Sequence, residues 1–183
     1  MKILVTGSAG FIGFHLSSLL LENKHIIIGL DSINDYYDIS LKKDRLRILK
    51  KNKNFIFYKN NLCKITFLRK IFKLHKIDII VHLAAQAGVR YSLINPQSYV
   101  KNNIEAFTNI LEISREFKIK HLLFASSSSV YGNCKNFPLM EKEIISAAQA
   151  ARLIRPGDTL IIGGSGGIGV AEKILEALES RFL

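Results

Sequence analysis

The sequence predicts an α/β fold: a doubly wound parallel sheet of five strands that carries a short βα tail. Three observations predict it. Short apolar runs alternate with longer amphipathic stretches through the first 125 residues. The first apolar run leads straight into a glycine-rich turn, TGSAGFIG, at residues 6–13. The chain has 183 residues, 48% hydrophobic and 22% charged, which is the composition of an ordinary folded domain with a core.

The elements follow in order. Residues 2–6 (KILVT) form a short apolar strand, and 11–22 a helix with apolar spacing. Residues 25–30 form a second strand ending at Asp31, 41–51 a basic helix and 55–58 a third strand. Residues 66–74 are helical, and 77–83 (IDIIVHL) form a continuous apolar strand. Pro96 starts a long helix that runs to about residue 117, because proline suits the first helical turn. Residues 121–125 form the fifth strand. Apolar strands separated by helices give a parallel sheet covered on both faces, and right-handed crossovers then give the doubly wound order.

The glycine turn carries the chemistry. Gly7 permits the tight turn, Gly10 lets backbone approach a diphosphate, and Gly13 lets helix pack closely on strand. The helix that starts at Phe11 and Ile12 offers free N–H groups and a positive dipole end to phosphates. Asp31, at the end of the next strand, can accept hydrogen bonds from an adenosine ribose, and its charge repels a 2′-phosphate. Strand, turn, helix and acid together read as a Rossmann-like site for NAD rather than NADP.

Bulk properties exclude other classes. The +11 charge lies on lysines scattered over several helices and loops, with no RNA-binding aromatic motif or recognition helix, so no nucleic-acid partner is expected. No apolar run is long enough to span a bilayer, and the start has no basic, apolar, small-residue leader pattern. No membrane partner and a cytoplasmic location are therefore expected. Cys63 and Cys134 have no metal-ligand spacing and read as reduced structural thiols, with no metal site.

The spacing GxxGxxG resembles that of the extended short-chain dehydrogenase/reductases, the NAD-dependent epimerase/dehydratase family. HLAAQAGVRYS (82–92), NDYYD with the following LKKDRL (34–46) and FASSSSVYG (124–132) narrow the resemblance to UDP-glucuronate 4-epimerases over residues 1–143. The resemblance implies that Leu83, Ala84 and Ala85 line the cofactor and that Asn102 contacts its nicotinamide side. Ser127 matches the catalytic Ser/Thr that hydrogen-bonds the sugar 4-hydroxyl, with Ser128 beside it at the substrate. Asn61, next to Leu62, stands where the family has an Asp that holds the adenine amine. An amide oxygen can accept that bond without charge assistance, so somewhat weaker binding is expected. Arg90 is a candidate partner for a substrate carboxylate, with a helix-start surface arginine as the alternative. Dehydratases of the family carry an Asp-Glu pair after this Ser/Thr; Ser128 and Ser129 stand there and cannot do carboxyl acid–base work. The implied partner is a UDP-sugar; a homodimer is one assembly left open by the sequence. In the implied reaction a tyrosinate removes the 4-hydroxyl proton while C4 passes hydride to NAD, and hydride returns to the other face.

The family's Tyr-x-x-x-Lys pair is expected about two dozen residues after the serine. Residues 146–158 (SAAQAARLIRPGD) hold neither residue type, and Tyr131 with Lys135 lies too close to Ser127 to substitute. The chain is therefore expected to be truncated before its catalytic pair and inactive alone. Composition also breaks near residue 143: residues 1–143 carry the whole net charge, whereas 144–183 are neutral and hold half of the glycines. The reading is an incomplete NAD-binding domain, 1–143, and a tail of different origin, 144–183. That tail resembles the N-terminal start of family I CoA-transferases, with a strand at 159–162, a glycine loop at 163–169 and a helix at 170–182. A fusion of two truncated genes and a sequence artefact both fit this break. An apolar sheet edge is expected after the fifth strand unless the 159–162 strand pairs there.

Overall fold

The structure, a computed structural model, describes residues 1–127 in full and residues 160–163 as backbone. The chain divides into two compact units, Met1–Leu122 and Leu123–Leu183.

In the first unit four strands run parallel in the order β3-β2-β1-β4. β1 (Lys2–Thr6) is central, with β2 (Ile26–Asp31) on one side and β4 (Ile79–His82) on the other. Thr6 is level with Leu30 on one neighbour and with His82 on the other. β3 (Phe55–Lys59) is the outer strand and ends on an exposed lysine. Ile3, Leu4 and Val5 are all fully buried, as expected for a strand covered on both faces.

The helices take their positions from their apolar stripes. α1 (Phe11–Glu22) buries Gly13, Leu16, Ser17, Leu20 and Leu21, the spacing of one helix face. α2 (Ile39–Leu49) is capped by the Asp38 carboxylate, which accepts the Ser40 N–H at 2.8 Å. α3 (Ile65–His75) and α6 (Ala106–Glu116) bury Leu68, Ile71, Phe72 and Ile110, Ile113 against Leu4, Ile28 and Ile80 of the sheet. Each of these side chains contributes about 1.5–3 kcal/mol by leaving water. The result is a stiff frame whose strand ends hold the loops described below.

The long helix expected from Pro96 is built in three pieces. After the short α4 (Val89–Ile94) come α5 (Pro96–Tyr99), a π-helical turn (Val100–Glu105) and α6 (Ala106–Glu116). α4 itself has no counterpart among the expected elements. Its apolar residues Val89, Leu93 and Ile94 are about four-fifths exposed, so they leave no core-facing periodicity to read. The other strands and helices lie within two residues of their expected bounds. Lys42 departs from the picture of scattered surface lysines, since it is buried on α2.

β5 (His121–Ser126) begins in the last residues of the first unit, where the Lys120 N–H donates to the Asp78 carbonyl at 3.1 Å. In the second unit β5 pairs in parallel with β6 (Leu160–Gly163), from Leu123 opposite Leu160 to Ser126 opposite Gly163. The expected tail strand thus exists, one residue later than read, and covers the edge of the fifth strand. The rest of the expected tail, and Ser128, Ser129, Tyr131 and Lys135, lie outside the described residues. No helix among the described residues is long and apolar enough to cross a membrane.

Candidate functional site

β1 and β2 deliver a glycine turn and an acid to the same end of the sheet. Leaving β1, Gly7 takes φ +70°, a conformation that only glycine adopts without strain. Its N–H donates to the Leu30 carbonyl at 2.8 Å, and the Gly10 N–H closes the turn on the Gly7 carbonyl at 2.9 Å. α1 then starts at Phe11, with no side-chain cap and no acidic residue in its first turn. Its first amides have no intrahelical acceptor, so the turn presents donors and an uncompensated positive dipole end. A Cβ on Gly13 would sit 2.1 Å from the Gly7 carbonyl oxygen, which shows how closely α1 lies on the turn. Phe11 and Ile12 have exposed side chains at this mouth.

Asp31 is 7% exposed and holds the turn from the side. One carboxylate oxygen accepts the Ala9 N–H at 3.1 Å, and the other accepts the Ile33 N–H at 2.8 Å. Each oxygen keeps a second lone pair for a ligand hydroxyl. Two cations stand behind this acid. The Lys42 ammonium donates to the Asn34 carbonyl at 2.9 Å and to the Asn34 side chain, and lies 4.6 Å from the Tyr37 ring centre. Burial lowers its pKa, against the pull of Asp31 and Asp35. The Arg45 guanidinium donates to the Ala9 carbonyl and to the Tyr37 hydroxyl, both at 3.3 Å. Roles for Lys42, Arg45 and Tyr37 were not read from the sequence, although the 34–46 stretch that contains them was the signal.

The loop after β4 closes the other side. Thr6 Oγ1 accepts the Leu83 and Ala84 N–H groups at 3.1 and 3.2 Å. Its own proton goes to His82 Nδ1, 2.9 Å away. Burial pushes the His82 pKa down to about 4, so the ring is neutral and can accept that bond. A Cβ on Gly7 would lie 3.0 Å from the Ala84 nitrogen, so this loop rests directly on the glycine turn. Ala85 is exposed beyond it.

A cavity of about 420 Å³ opens among the loops that follow β2, β3 and β4, lined by Ser32, Asn34, Asn61, Gln86, Ser98 and Asn102 among others. It lies outside the carboxyl ends of parallel strands, where ligands bind in open α/β sheets. Asn61 and Asn102 therefore share one cavity. Asn61 Oδ1 already accepts the Cys63 N–H at 2.8 Å, which leaves one lone pair for an adenine amine. The Asn102 amide donates to the Ser98 carbonyl and hydroxyl, at 2.8 and 3.1 Å. Leu62 is 5% exposed with its side chain in the core, so only its backbone can meet a ligand.

Arg90 is exposed in the first turn of α4, the position that the surface-arginine alternative describes. Ser127 follows β5 in the second unit, and Ser128 lies outside the described residues. Among the described residues no cluster of three or more His, Cys, Asp or Glu could hold a metal ion.

Residues 4–149 match the model of the GDP-mannose 4,6 dehydratase family. Protein CapI of Staphylococcus aureus is 55% identical over 132 residues, 72% of this chain and 39% of that protein. The UDP-glucuronate 4-epimerase of Thermodesulfobacterium geofontis is 46% identical over 128 residues, 70% of this chain and 40% of that protein. The crystal structure of UDP-glucuronic acid 4-epimerase from Bacillus cereus, in complex with UDP-glucuronic acid and NAD, matches with a TM-score of 0.69 at 38% identity. That match covers 74% of this chain and 43% of the other. The chain spans about two-fifths of the length of these relatives.

Proposed function

The chain belongs to the GDP-mannose 4,6 dehydratase family, among the NAD-dependent epimerases and dehydratases, and from that membership we propose that it binds NAD and corresponds to the cofactor-binding portion of a nucleotide-sugar 4-epimerase of the UDP-glucuronate type. The observation that carries this reading is the approach of Asp31 to the Gly7–Gly13 turn, at 3.1 Å through the Ala9 N–H. The amides of Phe11, Ile12 and Gly13 would hold the diphosphate, Gly10 would let the backbone approach it, and Asp31 would hold the adenosine ribose. Asn61, Leu62 (through its backbone) and Asn102 would border the cavity, and Leu83, Ala84 and Ala85 the remaining wall. The close packing supports the reading: a Cβ on Gly7 would press on the loop after β4 and one on Gly13 on the Gly7 carbonyl, so glycine at both lets α1 and the β4 loop close on the turn whose amides would face the diphosphate. NAD bound there supplies hydride transfer at the sugar C4. Ser127 would hydrogen-bond the 4-hydroxyl, and Arg90 and Ser128 would meet the rest of a UDP-sugar.

The same proposal denies turnover to this chain by itself. Residues 146–158 hold no tyrosine or lysine to serve as base and partner. A second reading, a non-catalytic NAD-binding remnant whose tail extends the sheet, draws support from the pairing of β6 with β5. A homodimer fits the exposure of Val100, Ile104 and Leu111 along one helical run, and a cytoplasmic location fits the reading as a whole.

Calorimetric titration of NAD into the full chain tests the proposal. One-site binding that Gly13→Val abolishes is expected, with no interconversion of UDP-glucuronate and UDP-galacturonate. Absence of NAD binding overturns the cofactor assignment. Measurable interconversion overturns the inactivity.

A further inference from the structure

Asn103, adjacent to the residue that the family resemblance singles out, makes the more demanding contact. Its side-chain oxygen accepts the Gln86 N–H at 2.7 Å, and its amide donates to the Gln86 carbonyl at 3.0 Å. One side chain thus satisfies both backbone groups of a residue that is itself 6% exposed. The same helical run adds two more ties. The Ser98 hydroxyl donates to Gln86 Oε1 at 3.3 Å, and the Tyr99 hydroxyl reaches the Ala87 carbonyl at 2.8 Å and the Gly88 carbonyl as well.

Ser98 meets the side-chain oxygen of Gln86 and Asn103 its backbone. In an α-helix, residues five apart point about 140° away from each other. Ser98 and Asn103 nevertheless both reach Gln86. The π-helical turn at Val100–Glu105 lessens this divergence, because i→i+5 bonding puts more residues in each turn and reduces the rotation between residues five apart. The turn therefore serves to aim Asn103 at the β4 loop. That loop is the one whose Ala84 nitrogen rests against Gly7 and whose Gln86 lines the cavity.

We infer that Asn103 is a positioning residue for the dinucleotide: set by the π-helical turn, it clamps the backbone at Gln86 and so holds the loop after β4 against the glycine turn in the shape that accepts the cofactor. This rests on the NAD reading above. Asn103 touches no cofactor atom in this account. It acts through Gln86, whose buried backbone groups would otherwise have no partner in the loop.

The test compares the full chain with Asn103→Leu, Asn103→Asp and Thr108→Ala by NAD calorimetry and by amide hydrogen exchange at Gln86. Thr108 is exposed on α6 and bonds only its own helix among the contacts described, so it reports on helix damage alone. Asn103→Leu is expected to bind NAD at least tenfold more weakly and to exchange the Gln86 amide at least tenfold faster, with β1 and β2 amides unchanged. Asn103→Asp keeps the acceptor for the Gln86 N–H and should restore part of both, and it decides the matter if the leucine variant does not fold. Wild-type affinity in either clamp variant overturns the inference. If the unaltered chain binds no NAD, the cofactor reading falls and the exchange arm alone decides: unchanged Gln86 protection in the clamp variants then overturns the clamp too.

Discussion

The Asp31 carboxylate accepts the Ala9 N–H at 3.1 Å, which ties the end of β2 to the turn that follows β1. The acid therefore has two tasks at one position. It shapes the turn from beneath, and it keeps lone pairs for a ribose. Asp31→Asn separates them, since an amide oxygen can still accept one backbone bond. The variant should fold and bind NAD about 10–100-fold more weakly, the loss expected when a charged acceptor becomes neutral. Calorimetry with NAD checks this, and equal affinities would remove Asp31 from the site.

Gly13→Ala tests the closeness of α1 to the turn. The new methyl group would meet the Gly7 carbonyl oxygen at 2.1 Å and Ser8 Cα at 2.9 Å. Both are backbone, so no side chain can swing aside. A stability loss of about 1–3 kcal/mol is expected from overpacking, together with loss of NAD binding. Urea denaturation and the same titration measure the two effects.

His82 gives the fold a pH dependence of known direction. Its pKa falls from the ordinary 6.5 to about 4 in the folded chain, because burial disfavours the charged ring. As pH drops below 6.5 the unfolded chain takes up the proton first, so stability declines. The contribution is full above pH 6.5 and about 3 kcal/mol of it is gone by pH 4. Denaturation at pH 7 and pH 4.5 should show this decline in the native chain and a shallower one in His82→Gln. Equal slopes would mean that His82 is not the group responsible.

Ile110→Ala tests the frame beneath the site. Ile110 is fully buried on α6 between α3 and the sheet. Its truncation should cost about 2–5 kcal/mol. The same helix carries Asn109, whose amide donates to the Leu62 carbonyl at 3.0 Å, so NAD affinity should fall with stability. Chemical denaturation and titration of one preparation would show both.

Where the sequence was legible, it was because burial and backbone geometry leave a residue pattern. β1, α1 and the turn between them follow from KILVT and GxxGxxG, and their bounds agree with the structure. The crossover order follows from the same alternation. The π-helical turn left no such mark, because inserting a residue into a helix changes the facing of side chains without changing their type. Asn102 is named from the resemblance, and nothing in the residue pattern marks Asn103. Lys42 was read as one more solvated lysine, yet the loop of Asn34 and Tyr37 folds over it and buries the ammonium. Such a contact depends on chain path and not on periodicity. Arg90 and Ser127 were named from resemblance alone, and Arg90 sits exposed in the first turn of α4, outside the cavity that joins Asn61 to Asn102.

The central claim is that backbone N–H groups between Gly7 and Gly13 hold the diphosphate of a bound dinucleotide. Amide hydrogen exchange on the full chain, with and without saturating NAD, reads those groups directly. The account predicts slowed exchange at Phe11, Ile12 and Gly13, with the exposed first turn of α4 unchanged. Exchange at these three amides that NAD leaves unaltered, while NAD still binds, would contradict it.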